Sequence, residues 1–213
     1  MANKISAVIN EVFVKLPKEK RLTIKNYLTL LFKWHKTNNI VSSSDIDYVI
    51  KREIYDSYEF SNIITGDSFT DIGTGGGIPG IVVAILNPHK RVVLLDRKST
   101  FIDFVEIAKQ DLDLQNIEIV KEDFFDSKFH LDTEVALFKN FSNKKIAQME
   151  FEKKLVYMIE TVKKSKSVKK VYMLTGSPVL ELSNHFVEDY TLIVKKISSP
   201  FFSTFRYVAE VIL

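Results

Sequence analysis

Asp71-Ile-Gly-Thr-Gly-Gly-Gly-Ile-Pro-Gly80 decides how this chain is read. Five of its ten residues are glycine, whereas the whole 213-residue chain has seven. Before it stands Ser68-Phe-Thr-Asp-Ile72, which reads as a strand. After it, Ile81-Val-Val-Ala-Ile-Leu86 reads as the buried face of a helix. A glycine-rich turn between a strand and a helix brings a ligand close to the backbone, with helix N–H groups pointing at it.

Outward from that turn, strands and helices alternate. The strand candidates are 68–72, 91–95, 116–120, 134–138, 169–175, 190–197 and 205–213. The helix candidates are 78–87, 99–112 and 143–164. Arg91-Val-Val-Leu-Leu95 is an almost unbroken apolar run, as a strand covered on both faces requires. Such alternation predicts a parallel sheet with helices on both faces. The last two strands follow one another without a crossover helix, so they predict an antiparallel hairpin at the sheet edge.

Upstream, residues 1 to about 60 read as a helical cap on a core spanning 61–213, in one domain. Pro17 can open a helix. Leu22, Tyr27, Leu28, Leu31, Phe32 and Trp34 recur at roughly helical spacing, and Thr37-Asn-Asn39 would close it. Ser42-Ser-Ser-Asp45 supplies caps for a second helix, expected through Tyr58.

Composition excludes several classes. The chain has no cysteine, which removes disulfides, thiolate metal sites and a cysteine nucleophile. The four histidines, His35, His89, His130 and His185, lack metal-ligand spacing, and no metal is expected. No run reaches the roughly 18 apolar residues of a membrane span, and the first residues lack a signal peptide's apolar core. A cytoplasmic monomer is the expectation. Net charge is +3. Lysine is concentrated between Lys139 and Lys170, with ten lysines against three glutamates, which suits a face that meets phosphate; a solvated helix face is the alternative.

A dinucleotide fingerprint needs Gly-x-Gly-x-x-Gly, but Ile78 occupies the third position. The pattern present is Asp-x-Gly-x-Gly-x-Gly, which resembles that of class I methyltransferases, whose cofactor is S-adenosylmethionine. The resemblance implies that Asp71 meets the ligand's amino group and that the backbone of Gly73, Thr74, Gly75 and Gly77 faces its amino-acid portion. Asp96 ends the second strand, 25 residues after Asp71, where an acid can accept two hydrogen bonds from a ribose diol. Asp123 follows the third strand, where an adenine-contacting residue would lie; a solvent-facing acid is the alternative.

The Ile-Pro-Gly80 ending further resembles the bacterial RsmG family, also called glucose-inhibited division protein B, whose members methylate guanine N7 in small-subunit ribosomal RNA. Lys33-Trp-His-Lys36-Thr-Asn-Asn39-Ile-Val is similar to that family's Lys-Trp-Asn-Lys-x-x-Asn-Leu-Thr segment. Arg52-Glu-Ile-Tyr-Asp56-Ser57 is similar to its Arg-His-Ile-x-Asp-Ser segment. The chain departs from the pattern on the substrate side. Glu53 stands where the family has His. Thr100-Phe101 replaces Lys-Arg, Lys139-Asn140 replaces Arg-Ala, and Thr175-Gly176 replaces Lys-Gly; Arg206 matches.

The resemblance implies a class I, Rossmann-like α/β fold with a seven-stranded mixed sheet, S-adenosylmethionine as cofactor, and ribosomal RNA or the small ribosomal subunit as partner. It assigns Lys139 to catalysis, and Lys139, Asn140, Phe141 and Arg206 to the substrate. Phe141 could stack on a base, with a core aromatic as the alternative. Asp56 could hold the cap against the glycine loop, with an ordinary surface acid as the alternative. Guanine N7 has no proton to lose, so a site without a general base is sufficient. Methylation of another RNA or a small molecule, and a non-catalytic cofactor- or RNA-binding role, remain open.

Overall fold

A computed structural model describes residues 1–126, 128–141, 143–182 and 190–213. Among them, seven strands form one sheet: β1 Ser68–Ile72, β2 Arg91–Asp96, β3 Ile117–Lys121, β4 Val135–Lys139, β5 Lys170–Thr175, β6 Thr191–Ile197 and β7 Arg206–Ile212. Their order is β3-β2-β1-β4-β5-β7-β6. The first five are parallel, and β7 runs antiparallel to both β5 and β6. The expected mixed sheet and edge hairpin are therefore present.

Helices cover both faces. The cap consists of α1 Ala2–Val12, α2 Lys18–Asn38, α3 Ile46–Tyr48 and α4 Tyr55–Ile63, with a π-helical turn, Val49–Ile54, joining the last two. The core adds α5 Gly80–Leu86, α6 Ser99–Asp111 and α7 Phe151–Lys163. Ile24, Leu28 and Leu31 of α2 pack with Ile81 and Val83 of α5, Phe104 of α6 and Val92 and Leu94 of β2. On the opposite face, Leu155, Met158, Ile159 and Val162 of α7 cover Ile72, Leu95, Ala136 and Phe138. Successive β2 residues thus feed opposite clusters, which is why that strand reads as continuously apolar.

Two helical boundaries differ from expectation, and one expected apolar-face residue is exposed. Pro17 and Asn39 do bracket α2, the latter in left-handed conformation, but Leu22 lies on its exposed side. The next helical stretch, with Asp47 N–H bonded to Asp45 Oδ1, runs past Tyr58 to Ile63 because Phe60 and Ser61 are buried at its end. The helix expected over 143–164 begins only at Phe151. Asn143 takes up the preceding backbone instead, its Oδ1 accepting from Lys145 N–H at 2.8 Å and its carbonyl from Ala147 N–H at 2.9 Å. Asparagine's ability to bond nearby amides favours such turns over helix.

The register aligns the carboxyl ends of the parallel strands. Ile72 lies opposite both Leu95 and Phe138, and Asp96 lies opposite Lys121. That shared edge is where open α/β sheets bind ligands.

Candidate active site at the carboxyl edge of the sheet

The glycine loop is held by β1, β2 and the cap. Gly73 and Thr74 N–H both donate to Leu95 O, at 2.8 and 3.0 Å. The Tyr27 hydroxyl donates to Gly76 O, tying α2 to the loop. Asp71 is buried beneath the loop. Its Oδ2 accepts from the Thr74 hydroxyl at 2.8 Å and from Gly80 N–H at 2.9 Å. Among the described residues none donates to Oδ1. Burial raises the Asp71 carboxyl to about 6, against the lowering effect of the Thr74 and Gly80 bonds and of the nearby Lys139 charge.

Two glycines have distinct physical requirements. A Cβ on Gly80 would stand 2.3 Å from Leu94 Cδ2 and 2.6 Å from Asp71 Oδ2, so only hydrogen fits where α5 starts. Gly75 has φ +54°, and a Cβ there would meet nothing nearer than Gly73 O at 4.0 Å. Its Cα therefore faces open space, as a ligand-facing turn requires.

Beside the loop lies a cleft of about 230 Å³, lined by Gly73, Asp96, Arg97, Asp123, Asn140 and Phe141 among others. Asp96 accepts from Gly75 N–H through Oδ2 at 3.1 Å and from Lys98 N–H through Oδ1 at 3.0 Å. Each carboxylate oxygen can accept a further bond. Asp123 Oδ1 accepts from Phe125 N–H at 3.0 Å, and Arg97 lies 3.7 Å from its other oxygen. Asn140 projects from the end of β4 with φ +52°. Phe101, at one of the departures from the family pattern, also borders the cleft.

Phe141 packs with Phe124, Phe125 and Phe138 at ring-centroid separations of 5.5 to 5.9 Å, and its ring lies over Gly73. It is both a core aromatic and a wall of the cleft. Thr74 and Gly77 turn the other way: Thr74 is buried on Asp71, and Gly77 sits against Ile81.

A second constellation adjoins the first. The π-helical turn directs Arg52 and Glu53 inward. Glu53 and Lys139 form an ion pair with both side chains under a tenth exposed. Arg52 donates to Thr204 O at 3.0 Å and to the Thr204 hydroxyl, and lies over the Phe202 ring. Asp56 Oδ2 is 3.9 Å from Arg52 Nε and 3.5 Å from Arg206 Nε, while its buried Oδ1 has no partner. Burial raises the Asp56 carboxyl to about 6, opposed chiefly by the Arg52 and Arg206 charges. Lys139 and Arg206, expected as substrate contacts, thus face acids of the cap, and Arg206 is the more exposed of the two.

The Glu53 partnership was not anticipated. Both residues stood out as departures from the family pattern, but nothing in the sequence paired them. Trp34 packs on Phe104, with ring centroids 6.0 Å apart, as a helix-packing residue. His35 Nε2 lies 3.1 Å from Ser44 Oγ. His185 falls outside the described residues. No cluster among the described residues has the side chains to hold a metal ion.

Comparison with known proteins agrees with this geometry. Three solved structures share the fold at low identity. The precorrin-6y C5,15-methyltransferase of Geobacter metallireducens is 14% identical, covering 83% of this chain and 92% of that one, with a TM-score of 0.52. TrmK of M. capricolum, in complex with S-adenosyl-homocysteine, is 10% identical over 73% and 66% of the two chains, with a TM-score of 0.54. Human methyltransferase 10 domain containing protein is 12% identical over 90% and 97%, with a TM-score of 0.55. The fold is that of the class I methyltransferases. In sequence, the ribosomal RNA small subunit methyltransferase G of Pseudomonas putida is 36% identical over 121 residues, 56% of each protein. That of Hydrogenovibrio crunogenus is 42% identical over 107 residues, 49% of this chain and 50% of the relative. The chain thus spans about half the length of the curated relatives it matches. The family model GidB, rRNA small subunit methyltransferase G, matches residues 20–172, and the chain belongs to that family.

Proposed function

We propose that the chain is an S-adenosylmethionine-dependent methyltransferase that modifies guanine N7 in small-subunit ribosomal RNA, as a cytoplasmic monomer. One observation carries the reading: Gly73 of the Asp71–Gly80 loop and Asp96, which accepts from Gly75 N–H of the same loop, line a single cleft at the carboxyl edge of the sheet. The residues present fit the cofactor. Asp71 Oδ1, free of protein donors among the described residues, suits an ammonium. The open side of Gly75 suits close backbone approach. Asp96 retains acceptor capacity for a ribose diol, and Asp123 stands at the far side of the cleft, suiting the adenine end.

When bound, the cofactor supplies an electrophilic methyl group on a sulfonium. The protein's work is to hold the acceptor in line with it. Asn140 and Phe141 border the cleft where the acceptor must enter, and Arg206, 29% exposed, meets Asp56 of the cap. Guanine N7 offers a lone pair and keeps no proton, so no general base is required. The absence of cysteine argues against carbon-5 pyrimidine chemistry, which needs a thiolate nucleophile.

Mass-spectrometric mapping of methylated nucleotides in ribosomal RNA, from cells with and without the gene, tests the proposal. Loss of one N7-methylguanine, restored by the purified protein and cofactor, is the expected result. The Glu53–Lys139 pair favours a second reading, another RNA or a small molecule as acceptor, because it withdraws a cation from the substrate side. An unchanged ribosomal methylation map together with cofactor binding would favour that reading.

A further inference from the structure

Lys139 ends β4, and the next two residues, Asn140 and Phe141, line the cleft. Its backbone therefore adjoins the first cleft-lining residue of that strand end. Its ammonium points to the cap, where Glu53 meets it from the π-helical turn. Both side chains are more than nine-tenths buried. A buried ion pair contributes little net stability, since apolar residues of similar volume often serve as well. Its presence where β4 hands over to the cleft-lining Asn140 calls for an electrostatic explanation.

We infer that Glu53 is a positioning residue for charge: by holding Lys139 in a buried pair on the cap side of β4, it cancels a cation that would otherwise oppose a sulfonium in the cleft. The inference rests on the S-adenosylmethionine reading of that cleft. Lys139 is near enough to both acids flanking it to favour their ionised forms: Asp71 under the glycine loop and Asp56 on α4. Its field thus reaches the loop side and the substrate side together. Arg52 and Arg206 are occupied by Thr204 and Asp56, which leaves Glu53 as the direct counter-charge to Lys139 among the described residues.

The cofactor and its demethylated product form a natural probe, because they differ by one methyl group and one positive charge. Calorimetry gives the affinity ratio of S-adenosylmethionine to S-adenosylhomocysteine for the wild type, Glu53→Gln, Lys139→Met and the double variant. Glu53→Gln leaves an uncancelled cation and lowers the ratio, by roughly tenfold, the effect of unit charges about 12 Å apart at an effective dielectric near 20. Lys139→Met leaves an uncancelled anion and raises it. The double variant returns the ratio to the wild-type value. Opposite signs mean that either single variant suffices where the other does not fold. A purely structural role would weaken both ligands alike and leave every ratio unchanged, which overturns the inference alone. Wild-type protein binding neither ligand overturns the cofactor reading and this inference with it.

Discussion

Replacing Asp71 with asparagine should stabilise the protein at neutral pH while impairing its cofactor site. The carboxyl is 1% exposed, and its folded-state pKa rises from 3.8 to about 6, chiefly through burial. A rise of about two pH units corresponds to about 3 kcal/mol of linkage. The sign follows from proton uptake. Between pH 3.8 and 6 the unfolded carboxyl is ionised while the folded one keeps its proton, so stability falls as pH rises through that window. Above 6 the loss is complete. Asparagine is nearly isosteric, can accept from both Thr74 and Gly80, and has no proton to lose. Near pH 4 the two proteins should therefore be about equally stable. At pH 7.5 Asp71→Asn should be the more stable by up to about 3 kcal/mol. Urea denaturation of both at pH 4.5, 6 and 7.5 measures this, and taking the difference removes the parallel contribution of Asp56. A variant less stable than wild type at pH 7.5, or a difference that does not vary with pH, would refute the argument. It would mean that the Thr74 and Gly80 bonds to the charged carboxylate outweigh its burial. Calorimetry should show weaker cofactor binding by the same variant, the functional cost that keeps a destabilising acid in place.

Gly80→Ala should destabilise by about 2–4 kcal/mol, because its Cβ clashes with Leu94 and Asp71 and displaces the Gly80 N–H bond; thermal melts check this. Gly75→Val should abolish cofactor binding with the fold largely kept, since its Cβ enters open space at a left-handed φ; normal binding by calorimetry would remove the ligand from this turn. Asp96→Ala should weaken cofactor binding by about 1.5–3 kcal/mol and lower the melting temperature, because Gly75 N–H and Lys98 N–H lose their acceptor; unchanged calorimetric affinity would place the ribose elsewhere. Affinity for ribosomal RNA should fall as salt rises, and a flat salt dependence in filter binding would contradict phosphate contacts by this protein.

The strands and the glycine loop are legible because their causes are local. β2 is apolar throughout since both faces are covered, and Gly80 is required by Asp71 of β1 and Leu94 of β2, the strands on either side of it in the chain. The start of α7 is not legible in the same way. Residues 143–150 have a helical composition, but one asparagine side chain accepting from the amide two residues ahead, Lys145 N–H, outweighs it. The π-helical turn is harder still. The stretch after Asp45 reads as one helix through Tyr58, and a single widened turn within it leaves no mark on composition or average periodicity. Yet that turn decides that Arg52 and Glu53 face inward.

The division of the site follows the same physics. Residues that shape the cofactor cleft are announced by backbone needs, such as hydrogen-only positions and an acid at a strand end, and each need is visible within a few residues of sequence. The substrate side depends on charge pairing between segments 86 residues apart, Glu53 and Lys139, and on Arg206 meeting Asp56 across the cap. A lone lysine at the end of a strand reads as a cation available to phosphate; only the fold reveals that it is buried and paired with Glu53. Arg206, 29% exposed, lies 3.5 Å through Nε from Oδ2 of Asp56, whose buried Oδ1 has no partner among the described residues. The cation expected to act from β4 is therefore a buried partner of the cap, and Arg206 on the hairpin strand β7 is the more exposed of the two basic residues.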